Sequence, residues 1–213
     1  TRFKCDWSSD VCSSDLMASI GIMGGTFDPI HYGHLILAEQ ASEYLGLQKV
    51  MFITASVPPH KAGCGISDAS DRHKMVKLAI ADNPVFEPSD IELHRSGKSY
   101  TVDTVETLIK LQPNDSFFLL LGSDEAASFG TWYRPCRIME LVKVAVANRP
   151  GCDVEISIKG LNPEIASQII KLQIPGVDIS STDIRSRIAC GKSIKYMVPP
   201  GVAEYIQHRG LYR

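Results

Sequence analysis

A short apolar run, Ser19 to Met23, passes through two glycines into a stretch with helical spacing: Gly24-Gly25-Thr26-Phe27-Asp28-Pro29-Ile30-His31-Tyr32-Gly33-His34-Leu35-Ile36. A strand that hands over to a helix in this way sets where anions bind. Backbone N–H groups at a helix N-terminus lack intrahelical partners and carry the positive end of the macrodipole, so phosphate oxygens supply the missing acceptors. Gly24 and Gly25 carry no Cβ and let the main chain come close to a ligand. His31 and His34, three residues apart, fall on one face of a helix. Two imidazole donors beside a phosphate cradle point to phosphoryl or nucleotidyl transfer, chemistry that mainly requires positioning and neutralisation of oxyanion charge. The junction is neither G-x-G-x-x-G nor the loop ending in Lys-Ser/Thr, and His-x-x-His without further ligands is a poor zinc site.

The rest of the chain repeats the alternation. Apolar strands are predicted at Val50 to Ile53, Ser116 to Leu121 and Val142 to Ala147, with a short one at Ser89 to Leu93 and further strand at Ile169 to Ile174 and Val177 to Ile179. Between them the spacing predicts helices from His31 to Leu45, stopped by Gly46, from Asp71 to Ala81 and from Thr101 to Leu111; Ser181 to Ala189 and Val202 to His208 close the chain. Continuously apolar strands separated by helices indicate a parallel sheet covered on both faces, an α/β doubly wound, Rossmann-like fold in a single domain. In such sheets ligands bind beyond the carboxyl ends of the strands, and the blocks after Met23, Leu121 and Ile179 all follow a predicted strand.

A chain of 213 residues with 44% hydrophobic content buries one good core, and 22 basic against 24 acidic residues give no reason to expect a nucleic-acid partner. No apolar run approaches the roughly 18 residues of a membrane span, so the expectation is a cytoplasmic protein. Residues 1–16 are Ser-, Asp- and Cys-rich without an apolar centre and precede Met17, which reads like a start. We treat them as a non-native or disordered leader and residues 17–213 as the domain. The remaining cysteines, Cys64, Cys136, Cys152 and Cys190, are widely spaced, so reduced thiols are expected. Self-association into a homo-oligomer is compatible with the sequence, which does not specify it.

The run from Gly24 to Leu35 resembles the H-x-G-H signature of the nucleotidyltransferases, and Ile179-Ser180-Ser181-Thr182-Asp183-Ile184-Arg185 resembles their I-S-S-T-x-I-R signature. Between them lie Pro58-Pro59-His60-Lys61, Ser99-Tyr100-Thr101-Val102-Asp103-Thr104, Leu121-Gly122-Ser123-Asp124 and Trp132-Tyr133-Arg134, a set similar to the bacterial nicotinate mononucleotide adenylyltransferases. The resemblance runs from about Ile20 to Arg213. It implies transfer of the adenylyl group of ATP to nicotinate mononucleotide, giving deamido-NAD and pyrophosphate, by in-line attack without a covalent enzyme intermediate. Mg²⁺ would accompany ATP, with no metal site made by the protein.

The same resemblance assigns His31, His34 and Arg185 to catalysis. It assigns Gly24, Gly25, Thr26, Phe27, Lys61, Gly122, Arg149, Ser180, Ser181 and Thr182 to ATP. Thr101, Asp124, Trp132 and Tyr133 go to the acceptor, with the pyridine ring against Trp132 and ribose hydroxyls on Asp124. Other readings stand beside these. Ser180, Ser181 or Thr182 caps the helix that follows; Lys61 is a loop lysine; Trp132 belongs to a core; Arg149 sits in an exit turn. Alternative functions are a sibling transferase using nicotinamide mononucleotide or phosphopantetheine, and a non-catalytic nucleotide-binding regulator.

Overall fold

The computed structural model describes residues 17–59, 65–148 and 154–213, except the side chain of Ile156. Residues 1–16, Lys61 and Arg149 lie outside them, as do Cys64 and Cys152.

Six strands, β1 (Ser19–Gly25), β2 (Lys49–Thr54), β3 (Phe86–Ser89), β4 (Ser116–Gly122), β5 (Lys143–Ala147) and β6 (Ile170–Leu172), form one sheet in the order β3-β2-β1-β4-β5-β6. Every pairing is parallel. The chain runs outward from β1 to β3 and returns to β4 at the other side of β1, so the order reverses between β1 and β4. A crevice opens at their carboxyl ends, because the connections leave in opposite directions.

The strand side chains divide between two cores. Met23, Val50, Phe52, Phe118 and Leu120 face one way, and pack with residues of α1 (Tyr32–Leu45), α2 (Ala69–Ala79), α8 (Ser181–Ala189) and α9 (Pro200–Arg209). Ile20, Ile22, Met51, Ile53, Leu119 and Leu121 face the other, against α3 (Thr101–Leu111), α4 (Ser123–Ser128) and α5 (Pro135–Leu141). Because successive side chains point to opposite faces, both faces being buried produces the unbroken apolar runs seen in the sequence. α1 ends at Gly46, whose φ of 62° is left-handed and whose N–H bonds back into the last turn.

Three expectations need correction. The strand predicted at Ser89 to Leu93 lies upstream at β3, where Phe86 packs on Phe52 with centroids 5.0 Å apart. Pro88 is accommodated because β3 is an edge strand that needs fewer ladder donors. Val177 to Ile179 forms no strand: β6 has three residues, and Pro175-Gly176 intervenes before α8. The I-S-S-T block therefore follows a loop and not a strand. Four short helices were unanticipated: α4, α5, α6 (Val154–Ile158) and α7 (Pro163–Gln168). Among the described residues no helix is long and apolar enough to cross a membrane.

Candidate active site

The two glycines after β1 differ in what surrounds them. A Cβ on Gly24 would meet nothing within 4 Å, so its backbone is open on the crevice side. A Cβ on Gly25 would lie 2.9 Å from the ring of Phe27. Phe27 has a left-handed φ of 49°, and its buried ring sits edge-on against the His34 imidazole at 5.1 Å. The loop thus folds back on itself, and Gly25 is small because Phe27 occupies its side-chain space.

His31 is the N-cap of α1 and His34 its third helical residue. The backbone N–H of His31 donates to Nδ1 of His34 at 3.2 Å, and the two rings stack at 3.8 Å with 26° between planes. Accepting at Nδ1 selects the tautomer of His34 with its proton on Nε2, so Nε2–H is the ring's donor. His31 is 1% exposed and lies behind His34. A Cβ on Gly33 would stand 3.0 Å from the His31 ring, which explains the glycine of the H-x-G-H signature: it makes room for the first imidazole.

The second signature block docks onto this loop across some 150 residues of chain. Ser180 is the cap of α8, its Oγ accepting the N–H of Asp183 at 3.1 Å. Ser181 Oγ donates to the Pro29 carbonyl at 2.9 Å. Arg185, one turn into α8, donates from Nη1 to the Asp28 carbonyl at 2.8 Å and from Nη2 to Thr182 Oγ1 at 3.3 Å. From the other side Arg72, 1% exposed, gives its guanidinium to three carbonyls: Thr26 at 2.7 Å, Ser67 at 2.9 Å and Ser56 at 3.2 Å. Burial lowers its pKa, with Asp28 the leading opposing charge. Five planar donors in a fixed fork suit a place where several loop carbonyls converge.

These contacts enclose a cavity of about 190 Å³ lined by Gly24, Gly25, Thr26, Phe27, Asp28, His34, Gly122, Asp124, Ser181, Thr182 and Arg185, among others. A second cavity, about 520 Å³, lies beside it and is lined by Pro58, Pro59, Glu92, Tyr100, Thr101, Trp132 and Tyr133. Gly24, Gly25, Thr26, Asp124 and Glu125 line both, so the two share a wall. That wall stands at the carboxyl ends of β1 and β4. Gly122 admits Asp124 there, since a Cβ at 122 would fall 2.6 Å from the Asp124 carboxylate. Trp132 packs on Phe129 at 5.4 Å, and Tyr133, 52% exposed, packs on Tyr100 at 4.6 Å.

The sequence-predicted residues therefore separate into two groups as well as two cavities. Nine line the first: Gly24, Gly25, Thr26, Phe27, His34, Gly122, Ser181, Thr182 and Arg185. Thr101, Trp132 and Tyr133 line the second, and Gly24, Gly25, Thr26 and Asp124 belong to both. His31 and Ser180 line neither; one supports His34 and the other caps α8. Sequence reasoning passed over Arg72, Glu92, Glu125 and Tyr212. No local pattern marks Arg72 or Tyr212, whose partners Thr26 and Asp28 are far away in the chain.

A strand-turn-helix cradle meeting a second helix N-terminus that carries an arginine is the architecture of nucleotidyl transfer, and comparison with known proteins agrees. The chain belongs to the cytidylyltransferase-like family, which matches residues 22–187. Within that class its relatives are nicotinate-nucleotide adenylyltransferases. It is 44% identical over 197 residues to a probable nicotinate-nucleotide adenylyltransferase of Desulfitobacterium hafniense (strain DSM 10664 / DCB-2), covering 91% of this chain and 95% of the relative. It is 43% identical to the protein of that description from Herpetosiphon aurantiacus, covering 92% and 99%. The fold is that of the Plasmodium falciparum nicotinic acid mononucleotide adenylyltransferase complexed with NaAD: TM-score 0.78, 24% identity, with 92% of this chain and 97% of that one covered.

Proposed function

We propose that this protein is a nicotinate-nucleotide adenylyltransferase of NAD biosynthesis, transferring the adenylyl group of ATP to the phosphate of nicotinate mononucleotide. The observation that carries this reading is the shared wall: a cavity holding His34 and Arg185 opens beside one holding Thr101, Trp132 and Tyr133. Two substrates held in neighbouring chambers bring their reacting groups together at the partition. An acceptor phosphate oxygen attacks the α-phosphorus of ATP in line, forming a new P–O bond as the α–β bridge breaks and pyrophosphate leaves. No protein nucleophile takes part.

The protein's contribution is orientation and charge. His34 Nε2–H and the Arg185 guanidinium donate to phosphate oxygens, with the open backbone of Gly24 and the α1 and α8 N-termini alongside. His31 keeps the His34 ring in register. Trp132 offers a π face to the cationic pyridinium ring. Among the described residues no three His, Cys, Asp or Glu side chains are grouped to hold a metal ion, and the Asp28 carboxylate is already engaged by Tyr212. This donor set fits Mg²⁺ arriving as part of the ATP substrate, ligated by phosphate oxygens. With ATP as substrate, the reading places the enzyme in the cytoplasm.

The test is pyrophosphate release by the purified protein with ATP and Mg²⁺ and, in turn, nicotinate mononucleotide, nicotinamide mononucleotide or phosphopantetheine. Turnover dominated by the nicotinate compound is expected. Absent turnover with it, or equal turnover with its amide, overturns the assignment.

A further inference from the structure

The second cavity has an acidic side chain in its wall that the adenylyl-transfer mechanism does not use. Glu92 lies in the turn after β3, 6% exposed, whereas the other two acids lining that cavity, Asp124 and Glu125, are exposed. Thr104 Oγ1, on α3, donates to Glu92 Oε1 at 2.5 Å. Arg95 stands 4.0 Å from that oxygen and donates to Thr104 Oγ1 at 3.1 Å. The Ser99 hydroxyl faces the same carboxyl and, like Thr104, favours its charged form. Its Oγ also accepts the backbone N–H groups of Ser56 at 3.0 Å and Val57 at 3.3 Å.

One carboxyl therefore stands where two stretches of the cavity wall meet. Thr104 joins it to the first turns of α3, which supply Tyr100 and Thr101, and Ser99 beside it takes the backbone of the loop after β2, which supplies Ala55, Pro58 and Pro59. Burial pushes the Glu92 pKa up, so the site disfavours the charge it contains. An apolar side chain of similar volume would pack this position at no desolvation cost, and a buried acid is a poor device for stability alone.

We infer that Glu92 is a positioning residue for the acceptor: it fixes the cavity wall that meets nicotinate mononucleotide and leaves ATP binding untouched. The inference rests on the acceptor assignment proposed above. It requires that loosening Glu92 be felt by one substrate and not the other, because the first cavity shares none of Glu92, Ser99 or Thr104.

The experiment is steady-state kinetics of Glu92→Gln and Thr104→Val with each substrate varied in turn, alongside Thr104→Ser as the conservative variant. The glutamine removes the carboxylate charge and one of its acceptor oxygens, and the valine removes the Thr104 donor while keeping the shape. Each is expected to raise the acceptor KM about ten-fold, the scale of one charge-assisted hydrogen bond, with the ATP KM and kcat within about two-fold of the parent and Thr104→Ser near parental values. Parallel rises in both KM values, a loss in kcat alone, or an unchanged acceptor KM overturns the inference. If thermal melting shows that Glu92→Gln does not fold, the Thr104 pair decides by the same criteria. Failure of the parent enzyme to use nicotinate mononucleotide would instead strike the functional assignment, so the two failures are distinguishable.

Discussion

The phenol of Tyr212 donates a 2.6 Å hydrogen bond to Oδ1 of Asp28, joining the chain after α9 to the loop that leads into His31 and His34. Asp28 is 5% exposed and its backbone carbonyl receives Arg185, so this one residue links both signature blocks to the C-terminal segment. Tyr212 reaches it with a left-handed φ of 66°, a conformation that a non-glycine residue keeps only where surrounding contacts hold it.

Tyr212→Phe should destabilise the fold by about 1.5–3 kcal/mol, the range for a hydrogen bond to a charged acceptor, lowering Tm by several degrees. Burial, then the Asp28 bond, holds the Tyr212 hydroxyl well above its ordinary pKa near 10. Above that pH the unfolded chain loses the proton that the native state keeps, so stability falls as pH rises. Urea titrations between pH 8 and 11 should show this decline in the parent and a shallower one in Tyr212→Phe. An identical slope in both would refute the assignment of this loss to Tyr212.

His34→Ala removes the donor at the cavity wall. Its kcat should fall on the order of 10²- to 10³-fold, as for deletion of an oxyanion donor, while circular dichroism stays parental. Gly33→Ala tests the support behind it. The added methyl presses on the His31 ring from 3.0 Å, so kcat should drop although residue 33 contributes no functional group. Parental kcat in Gly33→Ala would mean that the imidazole stack does not set His34.

The adjacent glycines make opposite predictions. Gly25→Ala drives a methyl into the Phe27 ring and should cost about 1–3 kcal/mol of stability, read as a lower urea midpoint. Gly24→Ala meets only open space and should leave the midpoint unchanged while raising the KM for ATP, because under the proposed function its methyl enters the crevice that phosphate must approach. A Gly24→Ala enzyme with parental ATP KM would remove Gly24 from the nucleotide site.

Trp132→Ala should raise the acceptor KM about ten-fold through loss of ring stacking, with the ATP KM unaltered. Isothermal titration with each substrate separates the two. Weakening of ATP binding alone would place the adenine, and not the pyridine, against this indole.

What the sequence made legible was whatever it encodes locally. α3 and α8 begin and end where their periodicity and caps place them, and the Gly24 to His34 junction has the predicted form. The β3 strand was misplaced because Phe86 owes its strand conformation to Phe52 across the ladder, a contact no local window contains. Nothing local singles out Arg72 or Glu92, and only folding reveals that three carbonyls surround one and that Thr104 and Arg95 gather on the other. Likewise His31 and His34 looked equivalent in the chain, whereas the helix start puts one behind the other.

The partition between the two cavities is thin: glycine backbone at 24 and 25, a threonine, and two acids from the start of α4. A single molecule lying across it would engage both chambers while surrendering its translational freedom only once, so each half would act at the high effective concentration imposed by the other. Inhibitors designed as tethered halves should thus gain far more affinity here than either fragment achieves separately.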